Sequence, residues 1–372
     1  MKDLFSTQNI LHGDCLAVMR GMEANSIDCI LTDSPYGISF MGKHWDKGIP
    51  TKDFWDAALR VCKPGAMMLA FGGTRTYHRL ACAIEDAGWE IRDCLMWLYA
   101  SGFPKSMDVS KAIDKSKGLE REIIGIKPGH EGFDSYKSHS LTDGWDRPWT
   151  KDPHKVKLYH SQTSANSDLA KTFSGYGTAL KPAYEPIILA MKPLDGTFAK
   201  NAEKWSVAGL NIDASRIEGK IDSGWSKSGN KESDNLSMSG KNYARDPKPD
   251  SLNGRWPSNL LLDSEAAQIL DAQSVVSKSN SVGASRFFYC AKASPSERNK
   301  GCDGKNTHPT VKPIKLLEYL LKLIMPPSQD AVVLDHFAGS GSTLVAAKNL
   351  GFNAIGIEID SEYCEIARRR IE

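Results

Sequence analysis

The chain has 372 residues, of which 41% are hydrophobic and 25% charged, the composition of an ordinary folded globular protein. Its formal net charge of +2 is too small to indicate a nucleic-acid partner, so any such contact requires a local positive surface. The eight cysteines form no Cys-x-x-Cys pair, no apolar run matches a bilayer span, and the first residues lack a signal-peptide core. We therefore expect a cytoplasmic protein without structural metal, disulfide framework or membrane anchor.

Apolar strand patterns alternate with helical patterns in the first hundred residues. The strands are predicted at 26–33, 66–73 and 89–99, and the helices at 52–62 and 76–88. This alternation is typical of a mostly parallel sheet with helices on both faces.

The middle of the chain lacks a steady period except at 184–194, where an apolar run predicts one more sheet strand. Residues 105–183 and 195–285 are polar and irregular, and we interpret both as insertions. Within the second insertion, 222–254 is rich in Ser, Gly, Asn and Lys and nearly free of aliphatic residues, so it is predicted to be a mobile loop.

Regular patterning returns near the C-terminus, where a strand, a glycine-rich turn, a helix and a second strand follow one another across 331–360. Gly339 and Gly341 let the backbone turn tightly and approach a ligand, and Glu358 ends the second strand, where a carboxylate can bind ribose hydroxyls. Leu344 replaces the third glycine of a dinucleotide site, and no Gly-Lys-Ser/Thr of a P-loop follows. The pattern favours a nucleoside cofactor over NAD, a P-loop nucleotide or a simple turn.

The apolar strand at 26–33 runs directly into the sequence DSPYG. A Pro-Tyr pair at this point places a rigid backbone and an aromatic face at the carboxyl edge of the sheet, where open α/β sheets bind ligands. The alternative is an ordinary turn, because Asp, Ser, Pro and Gly all favour turns.

Several motifs together resemble the amino-methylating DNA methyltransferases. DSPY is similar to their [D/N/S]PP[Y/F/W] catalytic motif, HFAGSGST to their FxGxG cofactor motif, NTHPTVKP to their HPTxKP segment, and HGDCL to their N-terminal GD segment. The catalytic motif precedes the glycine motif, which is the permuted order of the β class. Ser34 and His336 depart from the family pattern, since each stands where a proline is usual. The matches bracket both ends of the chain and cover about half of it.

The resemblance implies a circularly permuted, Rossmann-like methyltransferase sheet, mostly parallel and seven-stranded, with an inserted irregular target-recognition region. Residues 1–104 would form its catalytic part, 184–194 a sheet strand and 286–372 its cofactor-binding part. The recognition region would be 195–285, with 105–183 as a further candidate DNA contact. In this topology the strand at 8–12 lies beside 354–358, and 26–33 lies beside 331–335, so that both ends of the chain build one site.

The resemblance also implies the chemistry. The methyl donor would be S-adenosylmethionine, and the acceptor would be an exocyclic amine on a base flipped out of double-stranded DNA. Asp33 and the carbonyl of Ser34 would accept the amino hydrogens, next to the rigid Pro35, and Tyr36 would stack on the base. The predicted cofactor-binding residues are Asp14, Cys15, Asp33, Thr310, Lys312, Asp335, Phe337, Gly339, Gly341, Ser342, Thr343 and Glu358.

DNA contact is expected at two places. The segment FMGKHWD could cover the flipped base, with Lys43 and Trp45 as contacts, although Trp45 is equally suited to packing. Between positions 286 and 322 eight Lys and Arg face three acids, which suits phosphate, with Arg286 and Lys292 as candidate ligands. The alternative for this stretch is a solvated basic face.

The target base stays open at this point. Aspartate in the first motif position favours adenine N6, whereas a serine there favours cytosine N4. Methylation of RNA or of a protein glutamine also stays open, as does a catalytically silent DNA-binding module. Cytosine C5 chemistry is disfavoured because no Pro-Cys dipeptide is present. We expect a bacterial or phage-encoded, nucleoid-associated enzyme of a restriction-modification system, with a homodimer and a cognate restriction endonuclease as further partners.

Overall fold

The computed structural model describes residues 8–38, 46–100, 102, 106–127, 161–218, 254–274, 283–291 and 311–372. Its contacts divide the chain into two compact units, one formed by Met1–Ala100 and Tyr184–Glu372, the other by Ser101–Ala183. The loop predicted at 222–254 lies outside the described residues except for its last position, Gly254.

The strands, numbered along the chain, are β1 (Gln8–His12), β2 (Ile27–Asp33), β3 (Cys62–Phe71), β4 (Glu90–Leu98), β5 (Ile123–Ile126), β6 (Ser161–Thr163), β7 (Tyr184–Met191), β8 (Leu260–Asp263), β9 (Tyr289–Ala291), β10 (Val332–Asp335) and β11 (Asn353–Glu358). The helices are α1 (Cys15–Gly21), α2 (Lys52–Val61), α3 (Tyr77–Asp86), α4 (Val109–Ser116), α5 (Asp168–Thr172), α6 (Phe198–Trp205), α7 (Ser264–Ser274), α8 (Ile314–Ile324), α9 (Ser342–Leu350) and α10 (Ser361–Ile371), with 3-10 turns at Asp213–Ser215 and Ala284–Phe287. In the described part of the chain, no helix combines the length and apolar character that a bilayer crossing needs.

The larger unit is built on a nine-stranded sheet with the order β1-β11-β10-β2-β3-β7-β4-β8-β9. All neighbours are parallel except β7, which runs antiparallel to β3 and to β4. The predicted mostly parallel, permuted Rossmann-like sheet is therefore confirmed. The predicted count of seven strands is wrong, because the short strands β8 and β9 extend one edge of the sheet.

The two ends of the chain meet within this sheet. Strand β1 pairs with β11, with His12 opposite Glu358, and β10 pairs with β2, with Leu334 opposite Ile30. These pairs are parallel, so the carboxyl ends of all four strands lie at one edge of the sheet. The first strand of the chain thereby completes a nucleoside-binding half that begins more than 300 residues later.

Both faces of the sheet are buried at the central strands β2, β3 and β10, as expected for parallel strands that carry continuous apolar runs. Along β2, Cys29 and Leu31 enter the apolar cluster under α8 and α9, while Ile30 enters the opposite cluster with Trp55 of α2 and Trp89. Because side chains alternate between faces, a strand covered on both sides needs apolar residues at consecutive positions. The strands that carry the loops after β2 and β10 are therefore packed on both faces.

The smaller unit contains α4, α5 and the antiparallel pair β5–β6. Asp114 of α4 is buried in this unit. The Asp114 carboxylate accepts the N–H groups of Asn166 and Ser167 and pairs with Arg121 at 3.2 Å. A buried carboxylate is stable only when it is paired and hydrogen-bonded. Asp114 thus ties the segment before α5 to α4.

Candidate active site

The site begins where β2 and β10 end side by side. Asp33 is the last residue of β2 and Asp335 the last residue of β10. The hydroxyl of Thr32 donates to Oδ1 of Asp335 at 2.8 Å, across 303 positions of sequence. The two segments singled out in the sequence, DSPYG and HFAGSGST, therefore leave adjacent strands at the same edge.

Ser34 and Pro35 start the turn after β2. Ser34 is buried, and its hydroxyl donates to the carbonyl oxygen of Phe71 at 3.1 Å. This serine replaces the usual proline of the motif, and its hydroxyl ties the turn to the end of β3. Pro35 is only partly buried.

The backbone of Tyr36 is held from both sides. One carboxylate oxygen of Asp46 accepts the N–H groups of Tyr36 at 2.7 Å and of Gly37 at 2.9 Å. The hydroxyl of Thr76 donates to the carbonyl of Tyr36 at 2.6 Å. Gly73 lies so close that an added Cβ would be 3.1 Å from the Cβ of Tyr36, which leaves the tyrosine little room to move. The backbone of the turn is thus fixed by hydrogen bonds to side chains of this chain.

A charged cluster surrounds the carboxylate of Asp33. Nζ of Lys312 is 2.7 Å from Oδ2 of Asp33 and 3.1 Å from Oε2 of Glu185. The hydroxyl of Tyr36 lies 2.9 Å from Oε2 of Glu185 and 3.1 Å from Oδ1 of Asp33. Lys312 was predicted from sequence as a cofactor ligand, and the structure places its ammonium against the predicted catalytic carboxylate.

Burial and the two carboxylates act in opposite directions on the pKa of Lys312 but in the same direction on the pKa of Tyr36. Burial alone would lower the pKa of the Lys312 ammonium, but the carboxylates of Asp33 and Glu185 outweigh it and raise that pKa. Burial of the Tyr36 hydroxyl, reinforced by the same two carboxylates, raises the pKa of the phenol well above its usual value. Lys312 is therefore a permanent cation and Tyr36 a permanent hydrogen-bond donor at neutral pH.

The glycine-rich turn after β10 is fixed mainly by its own side chains. Asp335 is buried and accepts the N–H of Phe337 at 3.2 Å, and burial raises the pKa of its carboxyl to about 6. Thr343 hydrogen-bonds to the same carboxylate, and Ser342 accepts a hydrogen bond from Arg370 at 3.1 Å. Asp335, Thr343 and Ser342 were predicted to bind the cofactor, and in the structure they shape the turn.

The backbone of the turn faces the acid at the end of β11. Gly339 and Gly341 both have positive φ, 52° and 77°, which side-chain-bearing residues rarely adopt. The N–H of Gly339 donates to Oε2 of Glu358 at 2.8 Å, and Oε1 of Glu358 accepts the N–H of Asp360 at 2.8 Å. Burial raises the pKa of this half-buried carboxyl. Each oxygen keeps a free lone pair, so Glu358 can still accept ribose hydroxyls.

Asp14 and Cys15 stand beside Glu358 because β1 pairs with β11. Asp14 caps α1 by accepting the N–H of Ala17 at 2.9 Å. Cys15 is buried, and burial raises the pKa of its thiol to about 12, so it is an uncharged packing residue. Phe337 is partly buried, with its ring centroid 6.1 Å from that of Phe54.

These groups fit a nucleoside cofactor. The turn offers backbone at close approach, Glu358 offers acceptors for hydroxyl donors, and Phe337 offers an apolar ring next to them. Within the described ranges, no set of three or more His, Cys, Asp and Glu is placed to hold a metal ion.

His336 is the second departure from the family motif, and it lies inside the core. Its ring contacts Trp55 edge-on at 5.3 Å, and neither ring nitrogen has a hydrogen-bond partner among the described residues. Burial lowers the pKa of the imidazole to about 3. His336 is therefore a neutral packing residue below the cofactor turn.

Four of the predicted contacts, Lys43, Trp45, Lys292 and Thr310, lie outside the described residues, as does the side chain of Arg286. Conversely, Glu185, Asp46 and Arg370 hold the site together and were not singled out from the sequence. A carboxylate at the start of the otherwise apolar strand YEPIILAM was the available signal for Glu185.

Comparisons with known proteins match the chain to one family model and to several relatives. The model of the N6_N4_Mtase family, described as DNA methylase, matches residues 27–369. The Type II methyltransferase M.HindIII of Haemophilus influenzae is 22% identical over 410 residues, covering 97% of this chain and 94% of that protein. The Type II methyltransferase M2.DpnII of Streptococcus pneumoniae is 49% identical over 67 residues, 18% of this chain and 24% of that protein.

Solved structures align over nearly the whole chain. The cytosine-N4-specific PvuII DNA methyltransferase covers 99% of this chain and is itself covered to 87%, with 15% identity and a TM-score of 0.47. The complex of M1.HpyAVI with SAM covers 98% of this chain and is covered to 100%, with 15% identity and a TM-score of 0.44.

Proposed function

Because this chain belongs to the DNA methylase family whose model spans residues 27–369, we propose that it methylates the N6 amino group of adenine in duplex DNA. The broader activity, methyl transfer to DNA in the N6/N4 family, follows from that membership. One observation carries the proposal. Asp33 ends β2 directly beside the glycine turn of β10, so an amine acceptor and a cofactor seat share one edge of the sheet.

S-adenosylmethionine is the methyl donor of this family, and when bound it supplies an electrophilic methyl group on a sulfonium. Glu358 would accept the ribose hydroxyls, and the backbone at Gly339 and the ring of Phe337 would line the nucleoside. Asp14, at the start of α1, would lie nearest to the adenine ring.

Asp33 and Ser34 would make the target amine reactive. The lone pair of an exocyclic amine is delocalised into the base, so the amine is a weak nucleophile. If the Asp33 carboxylate and the Ser34 carbonyl each accept one amino hydrogen, the lone pair is localised and aimed at the donor. Both acceptors also stabilise the positive charge that develops on nitrogen. Their positions are fixed in advance, because the turn is held by Asp46 and Thr76.

Tyr36 would support a base that has left the duplex. Extruding a base costs a few kcal/mol of stacking and pairing, and an aromatic face offsets part of that cost. The hydroxyl of Tyr36 is held by the charged cluster, so the orientation of its ring is set before the base arrives.

The choice of adenine rests on the aspartate at position 33, since the resemblance associates a serine at this place with cytosine N4. The experiment is incubation with isotope-labelled S-adenosylmethionine and unmethylated genomic DNA, followed by nucleoside mass analysis. We expect N6-methyladenine. If the product is N4-methylcytosine, the target base is cytosine and not adenine. Cofactor binding without any methylated nucleoside would contradict catalysis.

The proposed partners can be tested separately. A homodimer predicts twice the chain mass in analytical ultracentrifugation. A cognate restriction endonuclease predicts that DNA methylated by this protein resists one endonuclease that cuts the unmethylated DNA. A monomer, or methylated DNA that stays sensitive to every restriction endonuclease expressed by the source cell, would contradict these predictions.

A further inference from the structure

The charged cluster contains two carboxylates for one described ammonium. Lys312 contacts Oδ2 of Asp33 at 2.7 Å and Oε2 of Glu185 at 3.1 Å, and its side chain is only 10% exposed. An ammonium has three donors and binds whichever acceptors surround it. If Asp33 were its sole partner, the full charge of Lys312 would compete with a substrate amine for that carboxylate.

The single hydrogen of the Tyr36 hydroxyl also has two acceptors within reach. Oε2 of Glu185 lies at 2.9 Å and Oδ1 of Asp33 at 3.1 Å. A hydroxyl donates one hydrogen, so a bond to Glu185 excludes a bond to Asp33. In that state Oδ1 of Asp33 receives no hydrogen from Tyr36.

Strand direction explains how Glu185 reaches this position. Strand β7 runs antiparallel to β3 and β4, so the start of β7 lies at the edge where β2 and β3 end. Glu185 is the second residue of β7, opposite Trp97, and its side chain is 20% exposed. The Glu185 carboxylate thus reaches Lys312 and the Tyr36 hydroxyl from β7, at the edge where Asp33 ends β2.

We propose that Glu185 is a positioning residue for methyl transfer, which holds Lys312 and the hydroxyl of Tyr36 so that Oδ1 of Asp33 is open to a hydrogen of the target amine. This inference rests on the proposed function. Oδ2 of Asp33 keeps its bond to Lys312, and Glu185 would act through Lys312 and Tyr36 and not through a contact of its own with the base. The raised pKa of Lys312 fits this arrangement, because an ammonium that is always charged always needs an acceptor.

The test is Glu185→Gln, with Glu90→Gln on the exposed start of β4 as the matched control. The readouts are urea unfolding, the Kd of S-adenosylmethionine and the single-turnover rate of methyl transfer at saturating DNA. Glu185→Gln removes one of the two carboxylate charges that pair with Lys312, and Asp33 keeps the other. We therefore expect the rate to drop about 10- to 100-fold while the Kd stays within about two-fold. Glu185→Ala serves as a second variant, and Glu90→Gln should match the wild type.

A purely structural role is separated by repeating the substitution in a Lys312→Met background. If Glu185 acts by sharing Lys312, the loss caused by Glu185→Gln shrinks when Lys312 is already absent. An undiminished loss in that background, or a Glu185→Gln rate within about two-fold of the wild type, would overturn the inference. If instead the wild-type protein yields no methylated nucleoside, the proposed function itself fails.

Discussion

His336 offers a quantitative test of the packing beneath the cofactor turn. The imidazole is buried against Trp55, neither nitrogen is hydrogen-bonded within the described residues, and burial lowers its pKa from 6.5 to about 3. The folded pKa lies below the unfolded one. The neutral ring therefore contributes its full stability above pH 6.5 and loses it as the pH falls toward 3.

The size of the effect follows from the same two values. Between pH 7 and pH 5 the unfolded chain takes up a proton at this ring and the folded chain does not. At 1.36 kcal/mol per pH unit below the unfolded pKa, this costs about 2 kcal/mol of unfolding free energy.

The assay compares urea unfolding of the wild type and His336→Leu at pH 7 and pH 5. Leucine is neutral at both values, and the other titrating groups, including the neighbouring Asp335, are common to both proteins. We expect the wild type to lose about 2 kcal/mol more than the variant over this range. Equal losses in the two proteins would show that His336 is protonated inside the fold and would refute the argument.

Two further predictions concern the glycine turn, and each has a matched control. Gly341→Ala should destabilise the protein by about 2 kcal/mol or more, because φ is 77° and the new Cβ would lie 2.8 Å from that of Ala367. Gly351→Ala has a similar φ of 75° with no atom within 4 Å, so it should cost only about 1 kcal/mol in urea unfolding, and equal costs would contradict the steric argument. Arg370→Met should weaken S-adenosylmethionine binding about ten-fold, because buried Arg370 donates to the carbonyl of Ser340 at 2.7 Å and braces the turn. Exposed Arg369→Met should leave the Kd from calorimetry unchanged. An unchanged Kd in Arg370→Met would show that the hydrogen bond from Arg370 to Ser340 is not needed for cofactor binding.

The strand order of the site could be predicted from the sequence because each of its strands is a buried apolar run next to a recognisable turn. The pairing of β1 with β11 followed from the permuted topology that the family resemblance implies, and the register places His12 opposite Glu358. The edge strands were missed for a physical reason. β8 has four residues and β9 three, too short for a periodic signal, and both lie next to polar, irregular sequence.

Within the site, the motifs pointed to Asp33 and Glu358 as candidates, whereas Glu185 and Asp46, which contact the residues around them, were not singled out. Asp33 and Glu358 end strands, where function is expected, and their neighbours in sequence mark them. Glu185 reaches the same edge only because β7 is antiparallel, and strand direction is not encoded in an apolar run. Asp46 acts through its contact with the backbone of Tyr36, ten positions away, which no spacing rule predicts.

Strand direction also bears on Lys312, which was predicted to bind the cofactor and lies against Asp33. The sequence places it in the segment before α8, and its side chain is free to reach either the cofactor seat or the end of β2. The carboxylates of Asp33 and Glu185 both pair with the Lys312 ammonium and hold it near the end of β2. Glu185 belongs to β7, a strand that the sequence pattern does not connect to the motif.

The most direct test of the proposed chemistry is Asp33→Asn, with the exposed Asp53→Asn of α2 as control, assayed for the Kd of S-adenosylmethionine and for the single-turnover rate of methyl transfer to DNA. The asparagine keeps the size of the side chain but replaces one accepting oxygen by an NH₂ group and loses the negative charge that would stabilise the amine in the transition state. We predict a rate at least about 100-fold below the wild type with a Kd changed by less than about three-fold. Methyl transfer by Asp33→Asn at the wild-type rate would contradict the claim that this carboxylate, at the end of β2, prepares the amine for a donor held by the glycine turn.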